Sequence, residues 1–113
     1  MHQLRTIAIG AALAAGLMGS VQQLAAAPKA DAAKGKEVFE QCAVCHNADS
    51  DEKKMGPGLK GLFKKDKLTS NGKKPTEANV LEKINEGGNG MPSYKDVLSD
   101  QEKADLIAYL KTL

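Results

Sequence analysis

Hydrophobic positions along the chain fall into one uniform block and three helical patterns. The block runs from Thr6 to Val21, all apolar or small residues without a charge, behind the single positive side chain Arg5. Gln22 and Gln23 then lead into L-A-A-A-P at 24–28. A basic start, an apolar middle and small residues at Ala25 and Ala27 form the pattern of an export signal. The expected division is a secretory signal peptide at 1–27 and one domain at 28–113, with Pro28 leaving the cut open by a residue or so. The apolar block is shorter than the ~20 residues a comfortable membrane span needs, so no anchor is expected after cleavage. It contains no cysteine for lipid attachment. The product is expected to be soluble and periplasmic.

Beyond Pro28 the apolar residues recur at helical spacing. Asp31 is placed to cap a first helix reaching Gln41, with Val38 and Phe39 as its apolar edge. Positions 47–75 are rich in Gly, Lys, Asp and Pro, and predict a long loop with short helical turns around Leu59–Phe63 and Lys67. Thr76 predicts the cap of a second helix carrying Val80, Leu81 and Ile84, stopped by Gly87 and Gly88. G-G-N-G-M-P-S-Y follows as an irregular strap, in which glycines allow tight turns and Pro92 fixes direction. Ser99 and Glu102 make a capping box for a last helix with Leu106, Ile107 and Leu110 facing inward. No alternating run long enough for a sheet occurs, nor any repeat or linker. The predicted fold class is all-α with long loops.

Composition sharpens this picture in two ways. The 113-residue chain carries a net charge of +2, which falls to about +1 without Arg5 and lacks the basic excess of a nucleic-acid binder. Its aromatics are Phe39, Phe63, Tyr94 and Tyr109, with no tryptophan. A domain this small, with so few large apolar side chains, needs disulfides, a metal or a cofactor to complete its core.

The two cysteines lie in C-A-V-C-H, Cys42 to His46. A disulfide between them would close a very small loop and leave His46 without a purpose, although an exported protein permits one. A zinc site would need a fourth ligand, and no second C-x-x-C or H-x-x-x-H pair is present. A thiol redox pair is chemically reasonable, but such pairs usually sit in a βαβ setting, which this chain does not offer. The fourth reading is covalent haem attachment, for which C-x-x-C-H is the recognised pattern. Two thiols one helical turn apart match the two porphyrin vinyl groups, and His46 is then held beneath the iron. Haem would also supply the missing apolar mass of the core. With the export signal and the all-α pattern, this reading is favoured, and thiol–disulfide exchange remains as a minor alternative.

A second axial ligand must then come from elsewhere. His2 belongs to the signal segment, which leaves His46 as the one histidine of the domain. Met55 follows His46 closely, is tied to its side of the iron, and is read as core filling. Met91 lies beyond the second helix in the glycine-rich strap, stiffened by Pro92, and can cross the opposite face. Met91 is therefore the expected sixth ligand.

C-A-V-C-H, G-P-G-L at Gly56–Leu59, G-x-M-P at Gly90–Pro92 and the terminal A-D-L-I-A-Y-L occur in one order across nearly the whole domain. In these motifs the chain resembles the class I c-type cytochromes, small soluble bacterial monohaem electron carriers. The resemblance implies three to five helices around one covalent haem c. Cys42 and Cys45 would carry the thioethers, and His46 and Met91 would bind the iron. The Pro57 carbonyl would accept a hydrogen bond from the far nitrogen of His46. Gly35 and Phe39 of the first helix would cross Leu106 and Tyr109 of the last. Some relatives place a tryptophan near the propionates, and its absence leaves propionate binding open.

The implied activity is outer-sphere transfer of one electron between Fe(III) and Fe(II), with no turnover of a small molecule and no catalytic residue. His/Met ligation favours ferrous iron and raises the potential. A haem subunit dedicated to a periplasmic dehydrogenase or oxidase would share these motifs and stays open as an alternative. Redox proteins are the expected partners of a monomer, and Lys53, Lys54, Lys60, Lys64, Lys65, Lys67, Lys73 and Lys74 form a run suited to an acidic one. A merely solvated lysine-rich loop explains the same run equally well.

Overall fold

Asp31 sets the first helix by leaving its own backbone extended and turning its carboxylate back on the chain. In the computed structural model, which describes residues 29–113, that carboxylate accepts from the amides of Ala33 at 2.9 Å and Lys34 at 3.3 Å. The expected signal segment, 1–27, lies outside the described residues. Helix α1 spans Ala32–Phe39, two residues short of the expected end at Gln41. Its ladder tightens there, because the amide of Cys42 bonds the Phe39 carbonyl at 2.7 Å, and the chain continues in turns as far as Cys45.

Helix α2 spans Glu77–Glu86, with the Thr76 hydroxyl accepting from the amide of Asn79 at 3.1 Å. Helix α3 spans Asp100–Leu110, and both arms of the Ser99–Glu102 capping box form, at 3.1 and 3.0 Å. Such a box satisfies two amide donors that a helix start leaves unpaired. Between α1 and α2 the only helical piece is a 3-10 turn at Leu62–Lys64. The helical turn expected at Lys67 is not formed. Lys67 lies in a bend, and a loop closes after it through the amide of Leu68 to the Lys73 carbonyl at 2.7 Å, with Gly72 at φ +69° turning the chain. Burial of Leu68 explains the difference, since the loop folds to put that side chain into the core.

The core gathers Phe39 of α1, Val80 and Ile84 of α2, and Leu106, Ile107 and Leu110 of α3. Loops contribute Leu62, Leu68 and Leu98 to the same cluster. Helices α1 and α3 cross at close range. Gly35 is buried there, and a β-carbon at that position would lie 1.9 Å from the Asp105 carbonyl oxygen. The Phe39 and Tyr109 rings pack beside the crossing in a tilted pair, centroids 5.3 Å apart. The buried Asp105 carboxylate accepts from the Asp31 amide and from Gln101, both at 2.8 Å, and so locks the start of α1 onto α3. No β-strand occurs among the described residues; Gly88 and Met91 form one isolated antiparallel bridge.

Candidate functional site

The turns that end α1 hold the two thiols and the imidazole in one place. The amides of Cys45 and His46 both bond the Cys42 carbonyl, at 3.1 and 3.0 Å. This continues a helical turn and puts Cys42 and Cys45 on one side of it, as the i, i+3 spacing requires. Both cysteines are free and half-buried, whereas Val44 between them is 70 % exposed.

The segment 54–59 folds back under this turn. Gly56 donates its amide to the Cys45 carbonyl at 2.8 Å, and Leu59 donates to Asn47 at 2.8 Å. The fold-back brings Pro57 to His46, with the carbonyl oxygen 2.8 Å from Nδ1. A carbonyl can only accept, so Nδ1 carries the proton and Nε2 presents a lone pair. Gly56 is the seat of the ring: a β-carbon there would lie 2.5 Å from His46 Cε1 and 2.9 Å from Nδ1. The ring is thus oriented by a hydrogen bond on one nitrogen and by close packing on a glycine. An imidazole with one nitrogen anchored and the other available is the donor set that an axial haem ligand requires, and the residues present fit that group.

Met55 does not fill the core as the sequence suggested. Its side chain is 79 % exposed, and its sulfur lies 3.9 Å from Cys45 Sγ. The tight fold-back that serves His46 leaves the preceding residue outside. Met91, by contrast, is half-buried and packs against the same core cluster as Cys42, Leu59, Phe63 and Tyr94. Its strap is tied into a loop by the reciprocal Gly88–Met91 bonds of 2.9 and 3.1 Å, with Gly87, Gly88, Asn89 and Gly90 all at positive φ.

Thiol chemistry is disfavoured by the surroundings of Cys42. Burial first, and the neighbouring Cys45 second, raise its pKa above the ordinary thiol value. Both causes keep the thiol protonated at neutral pH, whereas an exchange nucleophile needs its thiolate stabilised. Tyr94 is likewise raised, by burial and then by Cys42 and Cys45, which places its hydroxyl in the field of both sulfurs. Tyr94 had figured in the sequence only as one of four aromatics. Its amide bonds the Ile84 carbonyl at 3.0 Å, which fixes the strap beyond Met91 to α2, and its side chain packs half-buried against the same core cluster as Cys42. Asn85 is a second residue that the motifs did not mark. Its Oδ1 is the one buried side-chain atom without a hydrogen-bond partner among those described, at the junction of α2 and the strap.

The cytochrome c family model matches residues 32–113. Cytochrome c2 of Blastochloris viridis is 34% identical over 112 residues, covering 85% of this chain and 88% of that protein. Cytochrome c6 of Leptolyngbya boryana is 38% identical over 82 residues, covering 72% of this chain and 91% of its own length. Among solved structures, cytochrome c6 of the diatom Phaeodactylum tricornutum superposes with a TM-score of 0.56 at 28% identity, over 73% of this chain and 92% of the other.

Proposed function

This chain belongs to the cytochrome c family, and we propose that it is a periplasmic shuttle of single electrons with its iron bound by His46 and Met91. Its cofactor is one covalently bound haem c, and its role lies in haem-based electron transfer. Cys42 and Cys45 supply the two thioether bonds. The observation that carries the ligand assignment is the 2.8 Å contact between His46 Nδ1 and the Pro57 carbonyl, which leaves Nε2 for the metal.

Bound haem supplies a reversible one-electron couple, and the chain decides how that couple is held. The Pro57 carbonyl orients His46 and increases its basicity. Met91 contributes a neutral thioether, which favours the ferrous state and raises the potential. Tyr94, Phe63 and Leu59 pack half-buried against the same apolar core as Met91 and Cys42, and apolar surroundings of this kind would limit solvent access to a bound haem. His46 and Met91 would hold the iron of a bound haem and leave no place on it for a small-molecule substrate. Optical redox titration of the purified protein tests the reading. The expected outcome is a single reversible transition with a one-electron Nernst slope; an irreversible transition, or a slope for two electrons, speaks for thiol chemistry instead.

Periplasmic residence rests on the export pattern of residues 1–27, and no helix among the described residues is long and apolar enough to cross a membrane. Partner docking rests on the lysines, and the fold trims that set. Lys65 pairs with Asp51 at 3.1 Å and Lys73 with Glu82 at 2.7 Å, while Lys54 donates to the Ala43 carbonyl at 3.2 Å. Lys53, Lys54, Lys60, Lys64, Lys67 and Lys74 are exposed, Lys54 keeping its full charge because a carbonyl is neutral, and carry the positive charge of the run toward an acidic redox protein. Such steering is screened over roughly 8–10 Å at physiological ionic strength. The second-order rate with an acidic partner is therefore expected to fall several-fold as salt is raised to that range; a rate independent of salt rejects the docking role.

A further inference from the structure

The strap that carries Met91 is fixed to the end of α2 by three donor residues, Tyr94, Ser93 and Lys83. Tyr94 donates its amide to the Ile84 carbonyl at 3.0 Å, and the Ser93 hydroxyl donates to the Asn85 carbonyl. The third is the only charged one. Lys83 Nζ reaches over the helix end and donates to the Gly87 carbonyl at 3.0 Å and to the Gly88 carbonyl at 3.5 Å. The Lys83 carbonyl meanwhile accepts from the Gly87 amide at 2.8 Å, so this residue grips the turn with both its backbone and its side chain.

That turn is tight in space. Four consecutive residues, Gly87 to Gly90, have positive φ, a backbone that glycine adopts freely and that asparagine, here Asn89 at 54°, tolerates better than most side chains. A β-carbon on Gly87 would lie 2.4 Å from the Met91 carbonyl oxygen, so the helix end and the methionine backbone are in direct contact. Gly88, one of the two carbonyls held by Lys83, is also the residue that exchanges both backbone hydrogen bonds with Met91. The Gly87 carbonyl, at the C-cap of α2, is one that a helix end leaves without an intrahelical partner, and an ammonium group satisfies it with a charge-assisted bond.

We propose that Lys83 is a positioning residue for the sixth iron ligand: its ammonium group clamps Gly87 and Gly88 and thereby restrains the Met91 strap against displacement of the sulfur from the iron. The proposal rests on the assignment of Met91 as ligand. It does not require Lys83 to touch the haem. What it predicts is a change in how easily another ligand enters, with the resting ligand set unaltered.

The test is imidazole titration of the ferric holoprotein, read at the sulfur–iron charge-transfer band, in the wild type, Lys83→Met and Lys83→Arg. Lys83→Met keeps the aliphatic stem and removes the donors. It should still show the band in the absence of imidazole, while binding imidazole about tenfold more tightly, the scale of one charge-assisted hydrogen bond. Lys83→Arg retains charge and donors and should return the affinity to within about twofold of wild type. Imidazole binding of Lys83→Met equal to wild type overturns the clamp, as does equal loosening in both variants, which would show that charge and donors do not supply the restraint. Should Lys83→Met fail to fold, Lys83→Arg against Lys83→Gln gives the same comparison with a polar replacement. Failure of the ligand assignment itself looks different: the band would then survive in Met91→Ala with Lys83 intact.

Discussion

Met91→Ala is expected to abolish the sulfur–iron charge-transfer band of the ferric protein, to open the iron to exogenous imidazole, and to lower the midpoint potential. The drop should be on the order of 100 mV or more, within the ~0.8 V over which axial ligands set haem potentials. The expectation follows from the position of the strap. Met91 is half-buried against the cluster that also receives Cys42 and Tyr94, and its backbone is pinned to Gly88 on both sides. Met55 provides the internal control, since its side chain is 79 % exposed and its sulfur lies against Cys45 Sγ. Met55→Ala should leave the band in place. A band that persists in Met91→Ala and disappears in Met55→Ala would reverse the assignment.

The second large effect is structural. Gly35→Ala places a β-carbon 1.9 Å from the Asp105 carbonyl oxygen, 2.5 Å from its carbon and 2.8 Å from Tyr109 Cβ. Two of these three atoms belong to the backbone of α3 and cannot swing aside. Alanine gains about 1 kcal/mol over glycine in helix propensity. Spreading the crossing should cost more, because it also strains the Asp31–Asp105 hydrogen bond and the Phe39–Tyr109 ring contact. A net loss of about 2–3 kcal/mol is expected, which in a domain of this size lowers Tm by about 10–20 °C. Differential scanning calorimetry of the holoprotein measures it, and an unchanged or raised Tm would mean that the two helices do not meet at Gly35.

The elements that the sequence made legible are those whose signals are local. Asp31, Thr76 and the Ser99–Glu102 box each cap the helix they announce, because capping depends on a few neighbouring atoms. C-x-x-C-H was equally legible, since its spacing alone puts both cysteines on one side of a turn. The resemblance carried the Pro57 contact to His46, which no local pattern states, and the fold bears out that contact at 2.8 Å. What stayed hidden depends on tertiary closure. Leu68, in the predicted 47–75 loop, and Leu98, which no motif marked, are both buried, because the chain between helices wraps to deliver them. Met55 looked like core material on composition and is outside, since the chain must pass beneath His46 at Gly56. The roles of Tyr94 and Asp105 likewise arise from contacts between segments, whereas Lys83 acts locally, on carbonyls four and five residues further on. Asp105, in particular, is a buried carboxylate whose partner amide at Asp31 lies at the other end of the chain.

The ligand roles of His46 and Met91 and the one-electron chemistry all require haem bonded to Cys42 and Cys45, and one measurement addresses that bond directly. The exported protein is reduced, boiled in detergent, run on a denaturing gel and stained for haem peroxidase activity. Thioether bonds survive this treatment, so the predicted result is a haem-positive band at the size of the chain without its signal segment. A band of that size without haem, with any haem at the dye front, would contradict covalent attachment and return Cys42 and Cys45 to thiol chemistry.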